Sequence, residues 1–395
     1  MLEAYAIDWV QLLIRWVHLI TGIAWIGASF YFVFLDNSLL PPKRKEDADE
    51  GIGGELWAIH GGGFYHAMKY RVAPPSLPEP LHWFKWEAYW TWMSGFALFI
   101  VMYYAHAELY MIDRNVAALT PWQAIAISLA LLVFGWIFYD QLCKHAGLDR
   151  EPMVAIVMVL FIALTAWVLS HVFSGRAMFM QIGAMLGTIM AWNVYFVIMP
   201  SQRKLIEAKE RNVPPDPVYG LRGKQRSVHN NYFTLPVLLT MISNHYPMTY
   251  GHPRAWLVLV CLLLLAAYVR HFFNLRHKGR TIWAIPISAA LATLVIAIAI
   301  APSPPRAAAY SFADVQRIVA ERCAPCHAAK PTQAGFNEAP KGVLLDTPAL
   351  IVANAQKINE QAVSTKAMPI ANLTNMTDAE RATLGAWIAA GAAAK

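Results

Sequence analysis

Cys323-Ala324-Pro325-Cys326-His327 is the stretch from which the chain is read. Its two thiols can each add to a vinyl group of haem, and the adjoining imidazole is then held where it must ligate the iron. Cys323 and Cys326 are therefore the expected attachment points of one covalent haem c, with His327 as an axial ligand of its iron. A zinc knuckle would need a second CxxC or Cys/His pair, and the other two cysteines, Cys143 and Cys261, stand alone in apolar runs.

Residues 307–395 around this motif are alanine-rich, with charges spread throughout and no apolar run of span length. Ser311-Phe312-Ala313-Asp314 can cap a helix with Val315, Ile318 and Val319 on one face, leading straight into Cys323. Thr377-Asp378-Ala379-Glu380 is a second capping box, opening a helix with Leu384, Trp387 and Ile388 on one stripe. Two helices around a haem suit a small all-α cytochrome c domain. Its sixth ligand is expected to be Met368, because Pro369 stiffens the backbone beside it; the rival, Met376, abuts a helix cap. His/Met ligation raises the reduction potential relative to bis-His, which suits an electron outlet.

Upstream the composition changes. With 57 % hydrophobic and only 14 % charged residues, the chain is too apolar for an ordinary soluble protein. Eight stretches are long and apolar enough to be read as membrane helices, at about 7–35, 84–107, 121–143, 153–173, 178–199, 228–245, 255–273 and 282–301. The sixth is the weakest, being polar at both ends and interrupted by Pro236. The fold class expected is mainly α: an eight-helix transmembrane bundle over residues 1–301, a proline-stiffened linker at 302–306 and the cytochrome c domain at 307–395. The first helix is expected to stay as an anchor, since MLEAYAID has no basic segment of the secretory type.

Loop charge orients the bundle. The loops after helices 1, 3, 5 and 7 hold 19 Lys and Arg residues, and those after helices 2, 4 and 6 hold one each. By the positive-inside rule the first set is cytoplasmic, so both termini are expected in the periplasm of a bacterial inner membrane. That is the side on which c-type haem is attached, and it accounts for the net charge of +7 without nucleic acid.

Between helices 1 and 2, period-two alternation (Phe64, His66, Met68, Tyr70, Val72) after Gly61-Gly62-Gly63 reads as a β-hairpin over about 52–75, either functional or a plug in the bundle mouth. Ionisable side chains inside helices are costly and so become site candidates. Arg15 and His18 share a face of helix 1, and His18 reads equally as a core histidine or a ligand. Depth sorts the rest into two layers. His106, His171 and His245, with His18, form an outer set able to hold a b-type haem between imidazoles. His229 and His271 lie at inner helix ends near His60 and His66, and with Arg270, Asn230, Asn231 and Asn274 they form the expected polar substrate site.

The segments His18–Gly27 (HLITGIAWIG), His60–Tyr65 (HGGGFY) and Leu81–Tyr89 (LHWFKWEAY) resemble the bacterial membrane-integral urate oxidases. The resemblance spans the whole chain, because that family joins an eight-helix domain to a C-terminal cytochrome c in this order. It implies oxidation of urate to 5-hydroxyisourate, with electrons passed to a respiratory acceptor such as a soluble cytochrome c or a terminal oxidase. Urate is a planar anion, so its site needs a cation such as Arg270 or Arg15, an aromatic wall and a base that helps water add. Two other readings stay open: a cytochrome-linked membrane dehydrogenase acting on another small substrate or on quinol, and a non-enzymatic anchor for an electron-carrying cytochrome.

Overall fold

The computed structural model describes residues 2–301 and 310–394, so the linker expected at 302–306 lies outside the described residues. Of the described residues the great majority are helical. In chain order the elements are α1 (Leu2–Ser38), α2 (Lys45–Asp49), β1 (Ile52–His60), β2 (Gly63–Tyr70), α3 (Trp86–Phe99), α4 (Ala107–Tyr110), α5 (Pro121–Ala146), α6 (Glu151–Leu169) and α7 (Gly175–Asn193). There follow α8 (Met199–Glu210), α9 (Pro217–Ile242), α10 (Pro247–Tyr250), α11 (Ala255–His277) and α12 (Ala284–Ala299). The C-terminal domain holds α13 (Phe312–Arg322), α14 (Ala324–His327), α15 (Pro348–Ala353), α16 (Ala355–Ile358) and α17 (Asp378–Ala389).

Local chemistry explains where the helices begin and stop. Thr120 closes a capping box with Gln123 and places Pro121 in the first turn of α5, and Gly147, at φ 71°, ends that helix. Asp216 caps α9 by accepting from the Val218 amide, with Pro217 again in the first turn. Both capping boxes expected in the C-terminal domain are present, Ser311 with Asp314 and Thr377 with Glu380.

Helices stand at all eight expected positions, with three shifts of boundary. The second continues from α3 as a π-helical turn, Ile100–Tyr104. The fifth runs on through another π turn into α8, reaching Glu210. The sixth, α9, starts at Pro217 and carries Pro236 within it. Among the described residues α1, α5, α6, the α7–α8 run and α11 are long and apolar enough to cross a membrane, and α12 is apolar but shorter. α3 is apolar but, at 14 residues, too short by itself, its run being continued by the π turn, and α9 carries more polar side chains, as a helix packed among others can.

α7 is the centre of the bundle: 61 % of its apolar stretch is buried, against 6 % for α1. It packs on α5, α9 and α3, while α1 packs on α3 along the edge. The approach of α7 to α9 is close enough to require glycine, since a Cβ on Gly183 would fall 2.0 Å from Thr240 Oγ1. The C-terminal domain has its own core of Val315, Ile318, Val319, Ile351, Leu384 and Trp387.

The hairpin is a two-stranded antiparallel ladder that pairs His60 with Gly63, and Gly61 and Gly62 take positive φ in the two-residue turn. Its base is tied to the bundle through the Lys69 to Asp36 ion pair. The tip is not inserted as a plug, because Trp57, Ile59, Phe64 and Tyr65 are all exposed.

Candidate functional site

One cavity of about 2110 Å³ runs from the middle of the bundle to the C-terminal domain. Along α7 it is lined from Gly175 to Met190, roughly 22 Å at the rise of a helix. At the domain end its wall includes Cys323, Cys326, His327 and Met368, and at the bundle end Arg15, His18, Trp25 and Trp92. The two sets share one space.

The domain end has the features a covalent haem needs. The α13 helix delivers Cys323 at its C-terminus, and α14 places Cys326 and His327 in the next turn. His327 Nδ1 donates to the Val343 carbonyl at 2.9 Å, which leaves Nε2 with its lone pair free for a metal. Burial pushes the Cys323 thiol up to about 12 and raises that of Cys326, so both are protonated thiols at neutral pH. Among the described residues no three His, Cys, Asp or Glu side chains are grouped to hold a bare metal ion.

Met368 and Met376 both line this end, in different states. Met376 is buried in the hydrophobic core. Met368 sits on a loop held by the buried Arg381, which donates to the carbonyls of Met368, at 2.7 Å, and Ala362. Arg322 ties the same region to α17, donating to Glu380 Oε1 at 2.9 Å and to the Thr374 carbonyl at 2.7 Å. Sequence reasoning missed Arg381, whose role appears only once the loop is folded back on α17.

The bundle end is aromatic, basic and lined by glycine. His18 Nδ1 lies 3.0 Å from the Thr91 carbonyl, so it carries the proton and the lone pair of the neutral ring is on Nε2. Gly95 lets α3 approach this ring: a Cβ there would fall 2.8 Å from His18 Cε1. Arg176 lines the cavity nearer the C-terminal domain, over the Tyr110 ring and donating to Asn244 Oδ1 at 2.9 Å. Among the described residues Arg15 and Arg176 are the guanidinium groups that line its bundle part.

Of the outer histidines, His18 and His245 line the cavity and His106 and His171 do not. His171 is exposed, its Nδ1 engaged by the Trp167 carbonyl of its own helix at 2.8 Å, and His106 is an exposed residue between two helices. Of the four, the cavity thus brings together His18 and His245.

The inner residues stand apart from the cavity and in separate contacts. His66 stacks on Trp57 and bonds Glu55 Oε2 at 2.8 Å within the hairpin, and His60 is exposed at its turn. His271 bonds the Tyr232 hydroxyl at 2.7 Å. His229 lies between Tyr139 and Glu151. Arg270 is buried behind Phe30, 3.8 Å from that ring, and donates to Asn231 Oδ1 at 2.8 Å; Phe30 lines the cavity and Arg270 does not. The residues expected to form a polar substrate site at the inner end are therefore not brought together around the cavity, which opens toward the C-terminal domain. Depth along separate helices had grouped side chains that tertiary packing turns to different faces.

Residues 4–301 match the sequence model of a family described as Urate oxidase N-terminal. Comparisons with curated proteins and with solved structures returned no match.

Proposed function

Because the chain belongs to the urate oxidase N-terminal family, we propose that it is a membrane-bound urate oxidase with its own electron outlet. In this reading urate binds in the bundle end of the cavity and is converted to 5-hydroxyisourate. Electrons leave through a haem c held by Cys323, Cys326, His327 and Met368 to a respiratory acceptor, a soluble cytochrome c or a terminal oxidase. The bundle sits in a bacterial inner membrane with both termini on the periplasmic side. The observation that carries the reading is the continuity of the cavity, which places Arg15, His18 and Trp92 in the same space as the CxxCH motif.

The residues suit the chemistry. Urate monoanion plus water yields 5-hydroxyisourate, one proton and two electrons. Arg15 and Arg176 supply cations for the anion, and Trp25 and Trp92 supply flat apolar walls for the ring. His18 presents Nε2 as the base that takes a proton from the adding water. Haem c, when bound, accepts electrons one at a time, so two transfers complete each turnover.

A second reading of the same histidine is that it ligates a b-type haem. The free Nε2, the Gly95 backbone under the ring and a cavity that also reaches His245 favour it. Pyridine haemochrome spectra of wild type and His18→Ala separate the two: a b component lost in the variant assigns His18 to iron, and haem c alone in wild type removes the second reading.

Anaerobic addition of urate to oxidised purified protein tests the main proposal. Growth of the reduced haem c α-band is expected. Reduction by quinol but not by urate would replace urate with a quinol, and reduction by neither would leave a cytochrome anchor.

A further inference from the structure

The proton that accompanies urate oxidation needs a way out of a cavity walled by apolar helices. Deep in the bundle, α5, α6, α7 and α9 bring together polar side chains that the site described above does not use. Met190, in the cavity wall, accepts through its carbonyl from Asn230 Nδ2 at 2.9 Å. Asn193 Nδ2 donates to Asn230 Oδ1 at 3.0 Å and to the Tyr139 hydroxyl at 3.2 Å. Tyr139 and His229 Nδ1 are 2.7 Å apart, and His229 Nε2 is 2.6 Å from Glu151 Oε2. Glu151, half exposed at the start of α6, ends the chain at solvent, on the side of the bundle remote from the C-terminal domain.

The polarity of the last two bonds runs one way. With Nε2–H donated to the Glu151 carboxylate, Nδ1 holds the lone pair and receives the Tyr139 O–H. A proton delivered to the Tyr139 oxygen can therefore pass to His229 and on to Glu151 by successive transfers along bonds already made. The first step needs a donor other than an amide. Asn193 Oδ1 supplies its place: it is fully buried and has no partner among the described residues, and a buried carbonyl of this kind is ordinarily satisfied by water.

The charges facing the chain are balanced. Arg226 lies over the Tyr139 ring at 4.8 Å and is paired with Asp140 at 2.9 Å, which also takes Lys144 at 2.7 Å. Cys143 Sγ is 3.9 Å from His229 Nδ1, and Gln225 Nε2 donates to the other Glu151 oxygen at 2.6 Å. Purely structural packing would not require such a chain, because apolar side chains fill a bundle core without leaving a buried acceptor unpaired.

We infer that Tyr139, His229 and Glu151, entered through a water on Asn193, form a relay that carries the proton of urate oxidation from the cavity to the cytoplasmic face. This rests on the proposed urate reading. Per turnover, urate monoanion and water give 5-hydroxyisourate, two electrons pass singly to the haem-linked acceptor, and one proton leaves by the relay. Electrons and proton thus exit at opposite ends.

The test uses the full holoprotein in sealed vesicles, oriented with the haem domain outward, with urate on both sides, ferricyanide outside and a pH-sensitive dye inside. Wild type is expected to acidify the lumen by one proton per urate and to show a solvent deuterium effect of about twofold on haem reduction. Tyr139→Phe, which keeps the ring under Arg226, and His229→Gln are expected to slow haem reduction by urate at least about tenfold and to abolish lumenal acidification, with haem c content unchanged. Variants that turn over at the wild-type rate, or a proton released outside by wild type, overturn the relay. A wild type whose haem reduces and whose lumen acidifies, with variants that reduce normally, retains the urate reading and removes the relay; a wild type that urate does not reduce overturns both.

Discussion

At Met368 and Arg381 a single loop carries the redox behaviour proposed for the C-terminal domain. Met368→Ala is expected to keep covalent haem, because Cys323 and Cys326 are untouched, and to lower the midpoint potential in a spectroelectrochemical titration. Met376→Ala should instead lower stability by about 2 to 4 kcal/mol with little change of potential, since that side chain is 3 % exposed within the core. The two variants exchange roles if the axial assignment is reversed. Arg381 binds nothing in the cavity chemistry directly, yet it holds the Met368 carbonyl. Arg381→Ala should therefore lower the potential in the same direction as Met368→Ala and destabilise by about 3 kcal/mol, from loss of buried charged hydrogen bonds. An unchanged potential in that variant would show that the loop holds its place without it.

Among the elements, α17 offers the clearest pH dependence. Burial works against the Glu380 carboxylate, but hydrogen bonds from Thr377 and Arg322 outweigh it and hold its pKa below the ordinary value. Asp378 is likewise lowered, by Lys366. A carboxylate whose folded value is depressed adds stability that is present above its unfolded value, near about 4.3 for Glu, and is lost as pH falls through the folded value. Haem-monitored unfolding should thus show Glu380→Gln less stable than wild type at pH 7 by about 1 kcal/mol, with the gap closing at acid pH. A gap that is constant with pH would remove Glu380 from that role. In the bundle, Gly183→Ala puts a methyl 2.0 Å from Thr240 Oγ1 and must force α7 and α9 apart. Loss of folded protein in detergent by size-exclusion chromatography is expected, whereas Gly187→Ala, with open space around the new carbon, should be tolerated.

For the whole molecule, the proposed function makes one shared cavity a means of coupling, because a domain tethered beside the bundle would meet its electron donor at high effective concentration. Cys323→Ser should remove covalent haem on a stained denaturing gel and with it urate-driven reduction of the acceptor. The helices, the two C-terminal capping boxes, the hairpin and the CxxCH motif were legible along the chain, since apolar periodicity, capping pairs, a glycine cluster between alternating runs and covalent chemistry are all local properties. Membership of the family came from the same string, over residues 4–301. Tertiary structure alone decided which ionisable side chains meet. His18 and Arg15 were singled out by their cost inside a helix, but Arg270 had equal standing and packing hid it behind Phe30. His229, grouped by depth with His60, His66 and His271, turns instead to Tyr139 and Glu151. Linear order gives how far along its helix each residue lies. The rotation of each helix about its own axis follows from close contacts such as Gly183 with Thr240, between residues far apart in the chain, and that rotation determines what faces the cavity.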